Sequence, residues 1–405
     1  VQPPDGNHLE ESGGDGGMKW EKVKLGKYVE ILSGFAFKSK DFLNCGVPVI
    51  KIKNITQEGV TLEDVSYISK ELADKNEKYH LNYNDILIAL TGSHINQMSS
   101  VVGRIARIKY HEDSLLNQRV GKVFAKDSKL CDIDYVYYFL SQDYIKISLA
   151  SKAGGAANQA NISPNDVKSL TVRWPDIETQ HRIADILSAY DDLIENNQKQ
   201  IKLLEEAAQR LYKEWFVNLR FPGHENTKIV DGVPEGWSKT NINEILTFHR
   251  GYDLTKNEMK AGRYPVVGST TVIGYHNEFK INGPGIVTGR SGSLGKYQFI
   301  WDNFWPHNTS LYISDYKDHN IFFVYSLLQT VDFASLNNGG AIPTLNRNVL
   351  SNIEVIEPEK KLQDVFAKIA EPQYQKIRNL EKQNDRLKTA RDLLLPKLMS
   401  GEVEV

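Results

Sequence analysis

Two long stretches of the chain repeat apolar residues at alternating spacings of three and four positions. The first runs from about Glu178 to Phe216 and the second from about Glu359 to Met399. This heptad spacing places one apolar stripe along an α-helix. At 1.5 Å per residue, each predicted helix of about 39 residues is roughly 58 Å long. The seam positions are Ile183, Leu187, Tyr190, Ile194, Asn197, Ile201, Leu204, Ala208, Leu211 and Trp215 in the first helix, and Phe366, Ala370, Gln373, Ile377, Leu380, Asn384, Leu387, Arg391, Leu394 and Leu398 in the second.

A helix with a single apolar stripe needs a partner surface, and the nearest candidate is the other predicted helix. We therefore expect the two helices to pair as an antiparallel coiled coil. The alternative is that each helix packs only on the globular segment that precedes it. Pro372 lies inside the second pattern. Because proline lacks a backbone N–H group, we expect it to kink or interrupt the early part of that helix.

The chain is an internal repeat. The segment from Asn165 aligns without a gap with the segment from Asn348, 183 positions further on (348 minus 165), and the match continues through both predicted helices. Upstream, the segment from Trp20 matches the one from Trp237. Matched positions are Val172/Val355, Pro175/Pro358, Gln180/Gln363, Ala184/Ala367, Ile194/Ile377 and Leu204/Leu387. Each half is therefore a globular segment followed by a long helix.

The globular segments mix short apolar runs, such as "VPVIKIKNI", "DILIALTGS" and "KYQFIW", with short helical patterns such as "NIFFVYSLLQ". Brief strands punctuated by Gly and Asn, interspersed with helices, are typical of the α+β class. We predict an α+β fold with two mixed domains in a pseudo-twofold repeat, each followed by its long helix.

Composition excludes several classes of protein. The 405 residues carry a formal net charge of −2, so no global basic field indicates nucleic acid, although a local patch suffices. Cys45 and Cys131 stand far apart, which disfavours disulfides and a zinc site and fits a reducing, cytoplasmic location. No apolar run reaches membrane-spanning length. Residues 1–17 contain no Lys or Arg, so they are not a signal peptide, and we expect a disordered leader or tag remnant before Met18.

The motifs that would indicate catalysis fail on inspection. The segment "GRSGSLGK" suggests a phosphate-binding loop, but Arg290 and Tyr297 stand where that pattern needs a glycine and a Ser or Thr. There is no GxGxxG after a strand, no HExxH and no Asn/Asp-Pro-Pro-Tyr methyltransferase motif. We therefore predict no catalytic residue, no metal site and no cofactor on this chain.

A binding chemistry remains, carried by polar loops in both halves. The loops "TGSHINQMSS", "LLNQRV", "VVGSTT", "TGRSGS" and "WPHNTS" are rich in Ser, Asn, Gln, His and Arg. Arg can read guanine and Asn or Gln can read adenine in the major groove, while Lys and backbone N–H groups suit phosphates. The alternative is that these are ordinary polar turns. Their recurrence in both halves favours one shared kind of binding surface.

The organisation resembles the specificity (S) subunit of type I restriction–modification systems. The residues that carry the resemblance are "KLGKYVEILSGFAF", "QHRIADILSAYDDLIENNQKQIKLLEEAAQRLYKEWFVNLRFPG", "DGVPEGW" and "RDLLLPKLMSGEV". The resemblance implies two target recognition domains, each reading one half of a bipartite duplex DNA target, and a coiled coil that sets the spacing. It also implies two methyltransferase subunits that carry S-adenosylmethionine, and restriction subunits that use ATP and Mg.

On this interpretation the domains are the leader at 1–17, recognition domain 1 at 18–175, helix 1 at 176–222, recognition domain 2 at 223–357 and helix 2 at 358–405. We expect methyltransferase contacts on exposed helix faces and on the adjoining "WFVNLRFPG" and "LMSGEV" segments. The predicted DNA-contacting residues are Lys38, Lys53, Asn54, Ser93, His94, Asn96, Gln97, Gln118 and Arg119 in the first domain, and Ser269, Thr270, Arg290, Ser291, Ser293, His307 and Asn308 in the second.

Two other hypotheses stay open at this point. One is a coiled-coil scaffold or protein-interaction module without base-specific DNA binding. The other is a remnant of a fused restriction enzyme that has lost its catalytic domain. A scaffold does not need amide-rich basic loops in both halves, and a fused enzyme needs a methyltransferase motif, which is missing.

An asparagine interrupts each apolar seam. If Asn197 faces Asn384 in an antiparallel pair, the same register sets Trp215 against Phe366 and Tyr190 against Arg391, the latter as a cation–π contact. A buried Asn lowers stability but penalises slipped registers. We therefore predict that both asparagines define the register; the alternative is that they are partly exposed at the edge of the seam.

Overall fold

The computed structural model describes residues 20–92, 101–153, 160–290, 295–331 and 353–405. The chain forms two compact units, and each combines a globular domain with parts of both long helices. The first unit contains the described residues up to Glu195 together with Asn384–Val405. The second unit contains the described residues of Asn196–Gln383.

The first globular domain alternates short strands and short helices, as the α+β prediction expects. Its strands are β1 (Glu21–Lys24), β2 (Val29–Ser33), β3 (Val47–Ile50), β4 (Ser66–Ile68), β5 (His80–Leu81), β6 (Ile86–Ala89), β7 (Thr91–Gly92), β8 (Ile105–Arg107), β9 (Ser114–Leu116), β10 (Val120–Ala125), β11 (Ala160–Asn161) and β12 (Thr171–Trp174), and its helices are α1 (Lys70–Asp74), α2 (Ile133–Ser141), α3 (Asp143–Lys152) and α4 (Pro164–Lys168). The first long helix, α5, spans Ile177–Tyr212, and a π-helical turn at Lys213–Val217 extends it.

Two four-stranded sheets form the body of this domain, in the orders β2-β10-β6-β8 and β4-β3-β9-β5. In the second of these, β3 and β9 run parallel. All four residues of β6 are buried, because this strand is central and covered on both faces. Helix α2 begins where the Asp132 carboxylate accepts the N–H groups of Asp134 and Tyr135, and it buries Tyr135 in the core.

The second globular domain repeats this arrangement. Its strands are β13 (Ile229–Val230), β14 (Val233–Pro234), β15 (Ser238–Asn241), β16 (Thr247–Arg250), β17 (Tyr264–Val267), β18 (Val272–His276), β19 (Gly285–Gly289), β20 (Tyr297–Ile300), β21 (Trp305–Pro306), β22 (Ser310–Asp315) and β23 (Glu354–Glu357), and its helices are α6 (Ile242–Ile245) and α7 (Ile321–Leu328), followed by the second long helix α8 (Lys360–Ser400).

The sheets of the two domains correspond strand by strand. The order β16-β22-β19-β20 matches β2-β10-β6-β8, and β18-β17-β21 matches β4-β3-β9. The parallel pair β17/β21 stands where β3/β9 stands in the first domain. The two-stranded pair β15/β23 likewise matches β1/β12. The structure therefore confirms the internal repeat and the predicted α+β class.

The long helices pair antiparallel within each unit. In the first unit, Ile183 and Leu187 from the start of α5 share one core with Leu395 and Leu398 from the end of α8. In the second unit, the end of α5 meets the start of α8, and the rings of Trp215 and Phe366 lie 6.1 Å apart. The predicted pairing is thus confirmed, and the alternative in which each helix packs only on its own globular segment is wrong.

Two details of the predicted helices differ from the structure. Arg391 forms an ion pair with Asp191 instead of a cation–π contact with Tyr190. The Asp191 carboxylate also accepts a 2.7 Å hydrogen bond from the Tyr138 hydroxyl, and a carboxylate is a stronger partner for a guanidinium than a ring face. Helix α8 continues through Pro372, which is exposed, so that water can solvate the carbonyl group that proline leaves unpaired.

The same buried glutamine joins each domain to its long helix. Gln180 donates to the Pro175 carbonyl at 2.9 Å, and its repeat equivalent Gln363 donates to the Pro358 carbonyl at 3.0 Å. The amide oxygen of Gln180 accepts the N–H of Asp132, just before α2. The oxygen of Gln363 lies 3.2 Å from His319 Nδ1, just before α7. Both side-chain amides are fully buried, and in each the NH₂ group and the oxygen both have a hydrogen-bond partner.

An ion pair also connects each domain to its helix at one repeated place, with the charges reversed. In the first unit, Lys109 lies 3.2 Å from Glu195 on α5. In the second unit, Asp302 lies 2.7 Å from Arg378 on α8, and Arg378 is the repeat equivalent of Glu195. Lys109 follows β8 by two residues and Asp302 follows β20 by two residues. In each domain, an ion pair therefore connects the segment just after β8 or β20 to a long helix. Both strands follow a predicted DNA-contacting loop in the chain.

Candidate nucleic-acid interface

One turn occupies the same place in both domains and carries predicted DNA contacts in each. In the first domain it joins β9 to β10 and contains Gln118 and Arg119; in the second it joins β21 to β22 and contains His307 and Asn308. The chain passes very close to this turn: a Cβ on Gly34 would lie 2.3 Å from the Asn117 carbonyl oxygen. The structure therefore places the loops "LLNQRV" and "WPHNTS" at equivalent positions of the two domains, whereas the sequence related them only by composition.

Backbone hydrogen bonds gather three loops around the turn of the first domain. The N–H of Gln118 donates to the Phe35 carbonyl at 2.9 Å, after β2, and the N–H of Asn117 donates to the Ile50 carbonyl at 3.1 Å, at the end of β3. The Arg119 carbonyl accepts the N–H of Leu90 at 3.0 Å, between β6 and β7. The ends of β2, β3 and β6 thus converge on Gln118 and Arg119.

The second domain gathers its loops in the same way. The carbonyl oxygen of Thr309 accepts a 2.8 Å bond from the Ser269 hydroxyl and a 3.2 Å bond from the backbone N–H of Arg290. The N–H of His307 donates to the Val267 carbonyl at 2.9 Å. Four of the residues predicted to contact DNA therefore form one cluster, although the first and last of them are 39 positions apart in the chain (308 minus 269): Ser269, Arg290, His307 and Asn308.

The ring of His307 is used inside this cluster. Its Nε2 lies 3.2 Å from the carbonyl oxygen of Leu254, and its Nδ1 lies 3.0 Å from the hydroxyl of Thr309. Because a carbonyl can only accept, Nε2 carries the hydrogen and Nδ1 accepts. Both ring nitrogens are thus engaged, and the side chain connects two loops instead of presenting a free group to DNA.

Asn54 also uses its side chain for hydrogen bonds inside its own domain. It is fully buried, its oxygen accepts the N–H of Lys51 at 3.1 Å, and its NH₂ group donates to the Glu63 carbonyl at 3.1 Å. Lys53 next to it is exposed and forms an ion pair with Asp64, which is exposed too. Burial lowers the pKa of Lys51, with a smaller contribution from the charge of Lys53. Lys53 remains accessible to a phosphate, whereas Asn54 stabilises its turn.

The remaining predicted residues point outward. Lys38, Gln118, Arg119 and Thr270 are exposed, and Arg290 is half-buried. Within the described ranges, the guanidinium groups of Arg119 and Arg290 have no hydrogen-bond or ion-pair partner. A guanidinium group without a protein partner can donate two parallel hydrogen bonds to a guanine or a phosphate. The other predicted contacts lie outside the described residues: Ser93, His94, Asn96, Gln97, Ser291 and Ser293.

The structure adds two residues that the sequence reading missed. Arg250 Nη2 lies 3.6 Å from Asp253 Oδ1, and the same carboxylate oxygen accepts a hydrogen bond from the Asn308 side-chain amide. The sequence already indicated that this segment belongs to the repeat, since "RGYDL" from Arg250 aligns with "SGFAF" from Ser33 in the first half. Only the fold places the charged pair Arg250–Asp253 beside the turn.

The long helices carry apolar side chains on their outer faces. Ile186 and its repeat equivalent Ile369 are 37% and 42% exposed. Other exposed apolar positions on these helices are Leu193, Leu203, Val365 and Leu393. In the two segments predicted to contact a methyltransferase, Val217 is 56% exposed, whereas most of the other apolar side chains are buried in their own units: Trp215, Phe216, Phe221, Leu398 and Met399. A methyltransferase contact by these segments therefore stays a prediction, although most of their apolar side chains complete the cores of their own units.

No group of three or more His, Cys, Asp or Glu side chains that could hold a metal occurs in the described residues. A search of the same residues finds no helix with the length and apolar character needed to cross a bilayer.

Comparison with known proteins identifies the family. Residues 18–206 and 234–389, more than half of the chain, match the family described as "Type I restriction modification DNA specificity domain". The chain belongs to this family. It contains two copies of the specificity domain, as the internal repeat requires.

Relatives that are named as specificity subunits match from about two thirds to nearly all of the chain. The specificity subunit of the type I restriction enzyme MjaIX from Methanocaldococcus jannaschii is 25% identical over 418 residues, covering 95% of this chain and 94% of that protein. The HindI specificity subunit from Haemophilus influenzae is 22% identical over 344 residues, covering 64% and 74%. The crystal structure of the type I S subunit from M. genitalium has the same fold, with a TM-score of 0.58 at 19% identity, covering 94% and 96%.

Family membership confirms the predicted function at the level of the subunit. The chain is a specificity subunit of a type I restriction–modification system, with two recognition domains. The relatives are named as specificity subunits, so catalysis belongs to other subunits. The prediction that this chain is not the enzyme of the system rests on that membership.

Proposed function

We propose that the two recognition domains read the two halves of a bipartite duplex DNA target, and that the paired long helices set the spacing between the halves. The observation that supports this most strongly is the repeated turn, where Gln118 and Arg119 in one domain correspond in place to Asn308 and Thr309 in the other. Proposed domain boundaries are 18–175 and 223–357 for the recognition domains, and 176–222 and 358–405 for the helices.

In this proposal the outward side chains divide by chemistry. Arg119 and Arg290 contact guanine edges or phosphates, Gln118 and Asn308 contact base edges, and Lys38, Lys53 and Thr270 contact the backbone. Ser269 and His307 stabilise the turn through hydrogen bonds to the carbonyl groups of Thr309 and Leu254. The predicted DNA contacts that lie outside the described ranges stay predictions from the sequence: Ser93, His94, Asn96, Gln97, Ser291 and Ser293.

The proposed partners follow from the subunit's place in a type I system. Two methyltransferase subunits carry S-adenosylmethionine and methylate adenine N6, and restriction subunits supply ATP- and Mg-dependent activity. Exposed apolar residues on the helices, such as Ile186 and Ile369, suit docking of these subunits, since apolar side chains at regular positions on an outer helix face favour a protein partner. This chain supplies recognition and needs no cofactor of its own for it.

Arg290→Ala tests the reading of the second half-site. We expect the affinity of the methyltransferase complex for its duplex to fall by about 5–150-fold, the equivalent of roughly 1–3 kcal/mol. Duplexes altered in one half-site at a time locate the loss, which we expect in the second half-site only. Arg263→Ala is a matched control, because Arg263 is an exposed arginine before β17 whereas the cluster lies after this strand.

Equal losses in both half-sites would contradict a base-reading role for Arg290. A titration of the wild-type complex against salt tests the wider proposal. Phosphate contacts by basic side chains release counterions, so the logarithm of affinity must fall with the logarithm of salt concentration. A flat response would argue against DNA recognition by this surface.

Asn197→Leu and Asn384→Leu test the role of the asparagines in the helix seam. Asn197 is 4% exposed and Asn384 5%, so neither lies at a solvated edge of the seam. We propose that each fixes the register at some expense in stability. The variant that carries both leucines should melt at a higher temperature, because no polar group of the pair is then left buried, and it should methylate targets over a wider range of spacer lengths. A variant with a lower melting temperature would contradict this, and the facing of the two amides stays a prediction.

A further inference from the structure

The charged pair Arg250–Asp253 gives the second recognition domain a feature that a phosphate-binding surface does not need. Oδ1 of Asp253 lies 3.6 Å from Arg250 Nη2 and accepts a hydrogen bond from the Asn308 amide. Within the described residues, Oδ2 of the same carboxylate has no partner. The Asp253 side chain is 78% exposed, so this oxygen is accessible to a ligand.

Asp253 stands in a segment that is held on both sides. A Cβ on Gly251 would lie 2.1 Å from the His307 carbonyl oxygen, so only glycine allows this approach. Tyr252 donates its N–H to the Pro306 carbonyl at 2.8 Å, and the Leu254 carbonyl accepts from the ring of His307. With the residues before and after it fixed to the turn, Asp253 has a defined position relative to Asn308.

An exposed carboxylate on a DNA-contacting face is unfavourable unless it finds a donor. Phosphates repel it, and the base groups in the major groove that can donate to it are exocyclic amino groups. Asp and Glu characteristically accept from cytosine N4. Arg250 offsets part of the carboxylate charge, and the Asn308 amide orients the group by occupying Oδ1, which leaves Oδ2 for the base.

We propose that Asp253 is a specificity-determining residue that accepts a hydrogen bond from the N4 amino group of a cytosine in the second half-site, with Arg250 and Asn308 as its positioning residues. The inference rests on the proposed DNA-reading function and deepens it, because it names one base group and the atom that recognises it. The competing interpretation is a surface ion pair that only stiffens the loop after β16.

Asp253→Ala provides the direct test. The variant is co-expressed with the methyltransferase subunits, methylated adenines are mapped by sequencing, and the complex is titrated with duplexes that carry each base at every half-site position. We expect the wild type to require cytosine at one position of the second half-site. In Asp253→Ala, discrimination at that position should fall by about 5–150-fold, with the first half-site unchanged.

Arg250→Gln and Arg250→Lys separate positioning from stability. A positioning role predicts that Arg250→Gln relaxes the same base position as Asp253→Ala and that Arg250→Lys, which keeps the charge, restores most of the discrimination. A merely structural role predicts weaker methylation of all targets with an unchanged motif. Glu278→Gln is the matched control, because it removes one exposed acidic charge at the far end of the β17–β18 hairpin.

The outcomes also distinguish this inference from the function on which it rests. A wild-type complex that methylates no bipartite motif overturns both. A wild-type complex with a bipartite motif, combined with an Asp253→Ala variant that keeps full discrimination at every position, overturns only the role of Asp253. Loss of discrimination at a position occupied by adenine would overturn the choice of cytosine.

Discussion

We expect Phe366→Ala to lower the free energy of unfolding of the second unit by about 3–5 kcal/mol. Phe366 is fully buried at the start of α8. Its ring packs against the rings of Tyr212, Trp215 and Phe216, and Phe216 packs in turn against Phe323. Removing the ring deletes its buried apolar area and leaves a cavity that rigid neighbours cannot fill. Urea unfolding followed by circular dichroism measures the loss.

A control on the same helix separates the core contact from a general effect of shortening a side chain. Ile369 lies one turn further along and is 42% exposed, so Ile369→Ala should change the free energy of unfolding by no more than about 0.5 kcal/mol. A loss for Phe366→Ala as small as that of the control would contradict the packing of α5 on α8 in this unit.

We expect Gln180→Leu to lower the free energy of unfolding of the first unit by about 2–5 kcal/mol, because it leaves two backbone groups without a hydrogen-bond partner. Without the amide, the Pro175 carbonyl and the Asp132 N–H have no partner and cannot reach water. Gln363→Leu removes the equivalent bond to the Pro358 carbonyl and the contact with His319, and it should destabilise the second unit in the same way. Limited proteolysis with mass spectrometry shows which unit opens first in each variant.

The matched control for these variants is Gln375→Leu. Gln375 lies on α8, but its side chain is exposed and donates a hydrogen bond to the Glu371 carboxylate on the surface. Its loss should be within about 0.5 kcal/mol. If Gln180→Leu behaves like this control, or if it opens the second unit first, the account of the buried amide as the joint between domain and helix fails.

Much of the architecture was readable in advance because it depends on periodicity. Heptad spacing defined both long helices, and matched positions such as Gln180 and Gln363 revealed the repeat. The predicted contact of Trp215 with Phe366 is present because an antiparallel pair has few registers that keep the apolar seam residues between the two helices. The predicted interruption at Pro372 is absent, because the effect of a proline depends on which face of the helix it occupies and Pro372 lies on the exposed face of α8.

The candidate DNA surface was predictable in outline only. Residue type correctly selected loops that lie together, but it did not separate Arg119 and Arg290, whose guanidinium groups are uncommitted within the described ranges, from Asn54 and His307, whose polar atoms are used internally. A polar side chain in a tight turn finds partners on segments distant in the chain. The tertiary fold determines those partners, and the residues adjacent in the sequence do not.

The sequence alone determined the repeat, the two long helices, the α+β class and membership of the specificity family, because each is encoded in local spacing or in matched order along the chain. Only the tertiary structure decided which polar residues remain available for a ligand and which support the turns. It also revealed the pairing of Arg250 and Asp253 with Asn308. The reason is that hydrogen bonds and ion pairs between loops depend on distances of a few ångströms across the fold, which no pattern along the chain records.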